Sequence, residues 1–150
     1  MEKIVFDSGI KEYEINNNGV LRFNPSDPNV YARFVDAAGE ITKIEEMLVQ
    51  KAKEHEVEED GTAALRLLAE ADKQIKEILN GVFGNGNDFD VIMGGVNLMA
   101  VATNGERVIT NLIQALMPIM EAGAKLCSKQ QVDNAVQQAR LNRAARRAQK

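Results

Sequence analysis

Apolar and polar residues alternate in short runs within the first two dozen residues, and apolar residues recur at every third or fourth position from residue 28 onward. Glu2-Lys3-Ile4-Val5-Phe6 is short and β-prone, and Lys11-Glu12-Tyr13-Glu14-Ile15 alternates charged and apolar side chains as a half-buried strand does. Asn16-Asn17-Asn18-Gly19 is a turn, because Asn and Gly tolerate positive φ, and Val20-Leu21-Arg22-Phe23 alternates again. Residues 1–24 therefore predict strands, with a hairpin across the Asn turn and a second turn near Asp7-Ser8-Gly9.

The period then changes. Asp27 is placed to accept hydrogen bonds from a helix's first turn, and Pro28 suits a first helical position, where its missing donor costs nothing. Val30, Phe34, Ile41, Ile44 and Leu48 mark the apolar face of a helix predicted to reach about Glu54. After an acidic break from Glu54 to Gly61, a second helix begins near Thr62. Leu67, Leu68, Ala71, Ile75, Ile78 and Leu79 form its stripe, and the turn formers from Gly81 to Asp88 end it. The two helices should pair antiparallel, since each alone would expose its stripe. A short third helix capped by Asp88 or Asn87 runs through Phe89, Val91, Ile92 and Met93. Thr103-Asn104-Gly105 is a further cap or turn, and the fourth helix carries Val108, Ile109, Leu112, Ile113, Leu116, Met117 and Met120. Pro118 inside it should kink or divide it.

The fold class that follows is mainly α (α+β): an N-terminal β-hairpin, then a four- to five-helix bundle with an exposed helical C-terminal tail. Residues 1–127 are expected to form one domain. Residues 128–150, which hold only Val132, Val136 and Leu141 as large apolar residues, form a basic helical or partly disordered tail. Aromatics are 5% and Trp is absent, which points to an aliphatic core. The single cysteine, Cys127, excludes an internal disulfide and is expected to pack as a small hydrophobe. No signal peptide is evident, and the most apolar stretch, Val91 to Ala102, is too short to span a bilayer. A reducing, cytoplasmic setting is the expectation.

The net charge of −4 conceals an asymmetry: residues 125–150 carry +6 and residues 1–124 carry −10. Opposite charges on body and tail favour contacts between them, within one chain or between copies. Reactive constellations are missing from the pattern. His55, the one histidine, sits among charged residues and is expected to be solvated. Gly84-Asn85-Gly86-Asn87-Asp88 lacks the strand of a dinucleotide loop, the Gly-Lys-Ser/Thr of a phosphate loop and the closing Glu of a calcium loop, so turn chemistry accounts for it. The acidic run Glu54, Glu56, Glu58, Glu59, Asp60 is expected to be a solvated linker. Met93, Met99, Met117 and Met120 are expected to fill the core, with part of that face open to a partner. No catalytic residue, cofactor site or metal site is expected. The candidate partner-binding residues are Leu112, Ile113, Leu116, Met117 and Met120 on the fourth helix, and Arg140, Arg143, Arg146 and Arg147 on the tail.

Three segments carry a family resemblance. They are Val20-Leu21-Arg22-Phe23-Asn24-Pro25-Ser26-Asp27-Pro28 through Phe34, Phe83-Gly84 through Gly94-Gly95-Val96-Asn97, and Asn111-Leu112-Ile113-Gln114-Ala115-Leu116-Met117-Pro118-Ile119. Together they resemble the tail assembly chaperones of long-tailed phages of Gram-positive hosts, over about residues 10–122. The resemblance implies a homo-oligomeric protein of the host bacterial cytoplasm, encoded by a phage or prophage. Such a protein coats and solubilises the tape measure protein, helps recruit tail tube subunits, and is absent from the mature virion. In that family a longer frameshifted product often supplies the tube-recruiting extension. Two alternatives rest on other features: a nucleic-acid-binding accessory protein acting through the basic tail, and a structural tail component of the virion.

Overall fold

The computed structural model describes residues 1–54, 61–84 and 86–149. The expectations for His55, for the acidic run beyond Glu54 and for Asn85 lie outside the described residues. In chain order the elements are β1 (Lys11–Ile15), β2 (Gly19–Phe23), α1 (Pro28–Glu54), α2 (Thr62–Phe83), α3 (Phe89–Ile92) and α4 (Val108–Ala148). The architecture is mainly α with an N-terminal hairpin, as the periodicity predicts.

β1 and β2 pair antiparallel, with Tyr13 opposite Leu21 and Ile15 opposite Gly19. Asn16 and Asn17 take positive φ in the connecting turn. One face of the hairpin is buried at Leu21 and Phe23, and the other shows Glu12, Glu14 and Arg22 to solvent. Asp27 caps α1 by accepting from the Asn29 N–H at 2.8 Å. The start of α1 lies beside the end of α2, where Arg33 Nε donates to the Val82 carbonyl at 2.9 Å. The two helices are therefore antiparallel. Asp88 caps α3 by accepting from Asp90 N at 3.0 Å.

α4 is capped by backbone and not by a side chain: the N–H groups of Val108 and Ile109 donate to the carbonyls of Ala100 and Leu98. Thr103-Asn104-Gly105 forms the turn that brings this loop round, closed by an isolated bridge between Val101 and Arg107.

Three expectations need correction. Glu2–Phe6 is not a strand; residues 1–10 hold no regular structure and Ile4, Val5 and Phe6 are exposed. A strand requires an edge to pair with, and the root of this arm is held elsewhere, since Asn24 Nδ2 donates to the Ser8 carbonyl. Pro118 does not divide α4. Pro118 and Gln114, whose carbonyl the proline leaves unbonded, are both exposed, so water can satisfy that carbonyl, while buried Leu116 and Met120 hold the helix on the core. The tail takes the helical of its two expected forms, continuing α4 through Ala148 and exposed at every described residue from Ser128 onward.

Finally, the core is not wholly aliphatic. Of seven aromatic residues, five converge where the hairpin meets the helices. Tyr13 stacks on Phe23 with ring centres 5.2 Å apart, Phe23 meets Phe83 edge-on at 4.8 Å, and Phe34 and Phe89 also pack on Phe83. Aliphatic side chains and the methionines Met93, Met99 and Met120 fill the rest.

The outer edge of β2 is closed by a side chain. The Asn87 carboxamide accepts from Arg22 N at 2.9 Å and donates to Arg22 O at 2.8 Å and Phe83 O at 3.1 Å. It copies the bonding of a third strand in one residue. Replacing Asn87 by Ala leaves these backbone groups without partners and should lower the unfolding free energy by about 2 kcal/mol. Urea denaturation followed by circular dichroism measures this, and an unchanged midpoint would refute the assignment.

Candidate protein-docking groove

β2's outer edge is closed, but β1's is open. Arg22 directs its N–H and C=O away from β1 to Asn87, so Glu12↔Arg22 is a non-hydrogen-bonded pair. By the alternation of antiparallel ladders the same holds for Glu14↔Val20. Glu12 and Glu14 therefore turn backbone donors and acceptors outward, and no strand among the described residues pairs with them.

Along this open edge runs a groove of about 510 Å³ between β1 and the first three turns of α4. Tyr13, Glu14 and Ile15 form one wall, with Asn16 and Asn18 at the end of the hairpin. Val108, Leu112, Ala115, Leu116 and Ile119 of α4 form the other, and Met93 and Val96 contribute to the lining. The surface is mostly apolar, and it is of a size that suits a small ligand or a short peptide segment. Val96 stands 43% exposed at its rim, so this apolar surface is accessible from solvent.

The predicted partner-binding residues separate into three groups. Leu112, Leu116 and Met120 are core residues, so the candidate stripe on α4 is mostly occupied by the protein itself. Leu112 and Leu116 still reach the groove wall, while Met120 is fully buried. Ile113 and Met117 are half-buried against the core, and Ile113 lines a shallower depression beside Ala38 and Ile41 of α1. Arg140, Arg143, Arg146 and Arg147 are exposed on the free part of α4, about three turns or more beyond Cys127, the last residue that is not exposed among those described. The structure does not bring the apolar and basic candidates together.

Tyr13, Ile15 and Val96 did not stand out as binding residues in the sequence, whereas Met93 belongs to the methionine face expected to be partly open to a partner. The weak signal was Val96, an apolar residue directly after Gly94-Gly95 with no helical stripe to join.

The basic end has its own geometry. Helical spacing puts Arg140, Arg143 and Arg147 on one side of α4, the side that also carries Val132 and Val136. Residues 128–148 extend about 30 Å. None of these arginines forms an ion pair among the described residues.

Reactive chemistry is sparse. No group of three or more metal-ligating side chains occurs among the described residues, and Cys127 is half-buried. No helix among them is long and apolar enough to cross a membrane. Among the described residues the buried ionisable group is Lys76, whose ammonium lies 2.9 Å from Asp72 and 2.7 Å from Asp90. Burial opposes its charge, but the hydrogen bonds it donates to Asp90 and Asp72, with their negative charges, outweigh that and raise its pKa above the ordinary 10.5. Asp72 also accepts from Leu98 N at 2.7 Å, so the cluster ties α2, α3 and the loop before α4 together. It is structural.

Comparisons with protein families, with curated proteins and with solved structures return no match to this chain.

Proposed function

We propose that the protein is an assembly chaperone that holds apolar segments of other chains, and specifically a phage tail assembly chaperone acting on the tape measure protein. The observation that carries the binding role is the apolar groove beside the open edge of β1. An extended or helical segment laid there would bury its side chains against Ile15, Val96, Leu112 and Leu116. The specific client comes from the family resemblance. Two of its three segments, residues 83–97 and 111–119, contribute walls of the groove through Met93, Val96, Leu112 and Leu116. The exposed end of α4 then remains free to meet a second partner, the role that recruitment of tail tube subunits would need.

The test is co-expression with the tape measure protein of the same phage or prophage. The wild-type chain should keep that protein soluble and co-purify with it. Val96→Asp, a charge at an exposed rim position, should weaken capture by about tenfold or more while leaving the fold intact. A tape measure protein that stays insoluble beside the wild-type chain, or is held equally by the variant, would count against the proposal.

A second reading is supported by the arginines of α4, which form no ion pair among the described residues. A nucleic-acid-binding protein would retard DNA or RNA at low salt and lose that activity when Arg140, Arg143, Arg146 and Arg147 become Ala. The acidic body, at −10, opposes this reading. A structural tail component would be found in purified particles by mass spectrometry, where a chaperone is absent.

A further inference from the structure

The arm at residues 1–10 and the groove pose matching problems. Ile4 and Val5 are each 89% exposed and Phe6 is 77% exposed, in a segment whose composition favours a strand. The outer edge of β1 has strand bonding to offer and an apolar trough beside it. Within one chain the two do not meet. Asn24, just beyond β2, donates to the Ser8 carbonyl at 3.1 Å, and Gly9 is packed so closely on Asn24 that a Cβ there would lie 2.7 Å from its side-chain nitrogen. Ser8 and Ile10 line a separate depression with Arg22, Phe23 and Asn24, on the β2 side of the sheet. The arm is thus rooted beside the strand edge that Asn87 closes, and it leaves the edge of β1 open.

We propose that Lys3–Phe6 of one copy adds as a third strand to the outer edge of β1 in a second copy, linking identical chains head to tail. Period-two alternation sends Ile4 and Phe6 to one side, into the groove, and Lys3 and Val5 to the other. That other side is the face bearing Glu12 and Glu14, so Lys3 meets carboxylates of opposite charge. Each chain then offers one arm and accepts one. Such a contact is heterologous and closes into a ring or continues as a filament. The inference rests on the reading of the groove as a docking site for protein segments, and adds that the chain's own arm fills it when no client is present. A client would enter by displacing a neighbour's arm.

Two variants separate donor from acceptor. Ile4→Asp with Phe6→Asp breaks the arm at positions that touch no core. Glu14→Pro removes an N–H that points away from β2, a place where an edge strand tolerates proline, and so blocks strand addition without removing a hairpin bond. Circular dichroism checks that each keeps its helix content. In sedimentation velocity the wild type should self-associate, and each variant alone should do so about a hundredfold more weakly. Mixed together they should form a heterodimer, because one retains a working edge and the other a working arm. A monomeric wild type, variants that assemble as it does, or a mixture that stays monomeric would each overturn the proposal. Binding of the tape measure protein by the arm variant is read separately. If that binding persists while assembly is unchanged, arm exchange is wrong and the docking reading stands; if the wild type assembles and binds no tape measure protein, the client is wrong.

Discussion

Replacing Gly123 by Ala should lower the unfolding free energy by about 2–3 kcal/mol, the opposite sign to the usual effect of that change in a helix. Glycine inside a helix is unfavourable by about 1 kcal/mol relative to alanine, because it gives up more backbone freedom. Gly39 in α1 shows the ordinary case: it is exposed, a Cβ built there meets nothing within 4 Å, and Gly39→Ala should stabilise by about 0.5–1 kcal/mol. At Gly123 a Cβ would overlap the Pro25 carbonyl oxygen and stand 3.2 Å from Ser26 N. The obstacle is backbone, which cannot rotate away as a side chain does. It is also pinned: Asn24 Oδ1 accepts from Ser26 N at 2.8 Å, and Asn24 O accepts from Asp27 N at 3.1 Å. α4 must therefore lift off the turn that joins β2 to α1, and the packing of Met120 and Leu116 loosens with it. Thermal and urea denaturation of both variants, measured side by side, checks the contrast. If Gly123→Ala gains stability as Gly39→Ala does, the close approach is not a constraint on the fold.

That contrast also shows where sequence reasoning stops. Gly39 and Gly123 look alike in the chain, each a lone glycine in an amphipathic helix, and only the crossing of α4 over Pro25 distinguishes them. Local signals served well wherever the cause was local. Asp27-Pro28, Asn16-Asn17-Asn18-Gly19 and the three- and four-residue periods located α1, the hairpin and α2 because caps, turns and stripes act over a few residues. Asn87 could be read only as a turn former or a helix cap in a glycine-rich run, since its partner, Arg22, is 65 residues away. Glu2–Phe6 is β-prone in composition and is not a strand, because pairing is a property of the neighbour as well as the segment.

The groove was half legible for the same reason. The α4 stripe named Leu112 and Leu116 correctly as apolar positions on one face. The opposite wall comes from Tyr13 and Ile15, about a hundred residues earlier in the chain. A stripe states which side of a helix is apolar, but the width that its own fold covers depends on what packs there. Here the fold takes Met120 entirely and leaves Leu112 and Leu116 at the edge of an open trough.

Lys76→Met should destabilise the protein by about 3 kcal/mol at neutral pH and flatten its stability in alkali. The ammonium is buried, with its residue 5% exposed, and it joins two carboxylates from different elements. Asp90 is 66% exposed at its side chain and can return to water when its partner goes. Asp72 cannot do so readily, being 15% exposed and held by Leu98 N, so the loss falls mainly on an uncompensated carboxylate beside the loop that caps α4. The pH dependence has a definite sign. The pKa of Lys76 is higher folded than its ordinary 10.5, so the folded state binds the proton more tightly than the unfolded chain. This contribution is complete below about pH 10.5 and is lost as pH rises through the raised folded value. The wild type should thus show a fall in melting temperature above that pH which the methionine variant lacks. Differential scanning calorimetry from neutral pH to pH 12 would reveal it. Parallel curves for the two proteins would mean that Lys76 does not bridge α2 to α3, and that the loop before α4 is held by Asp72 alone.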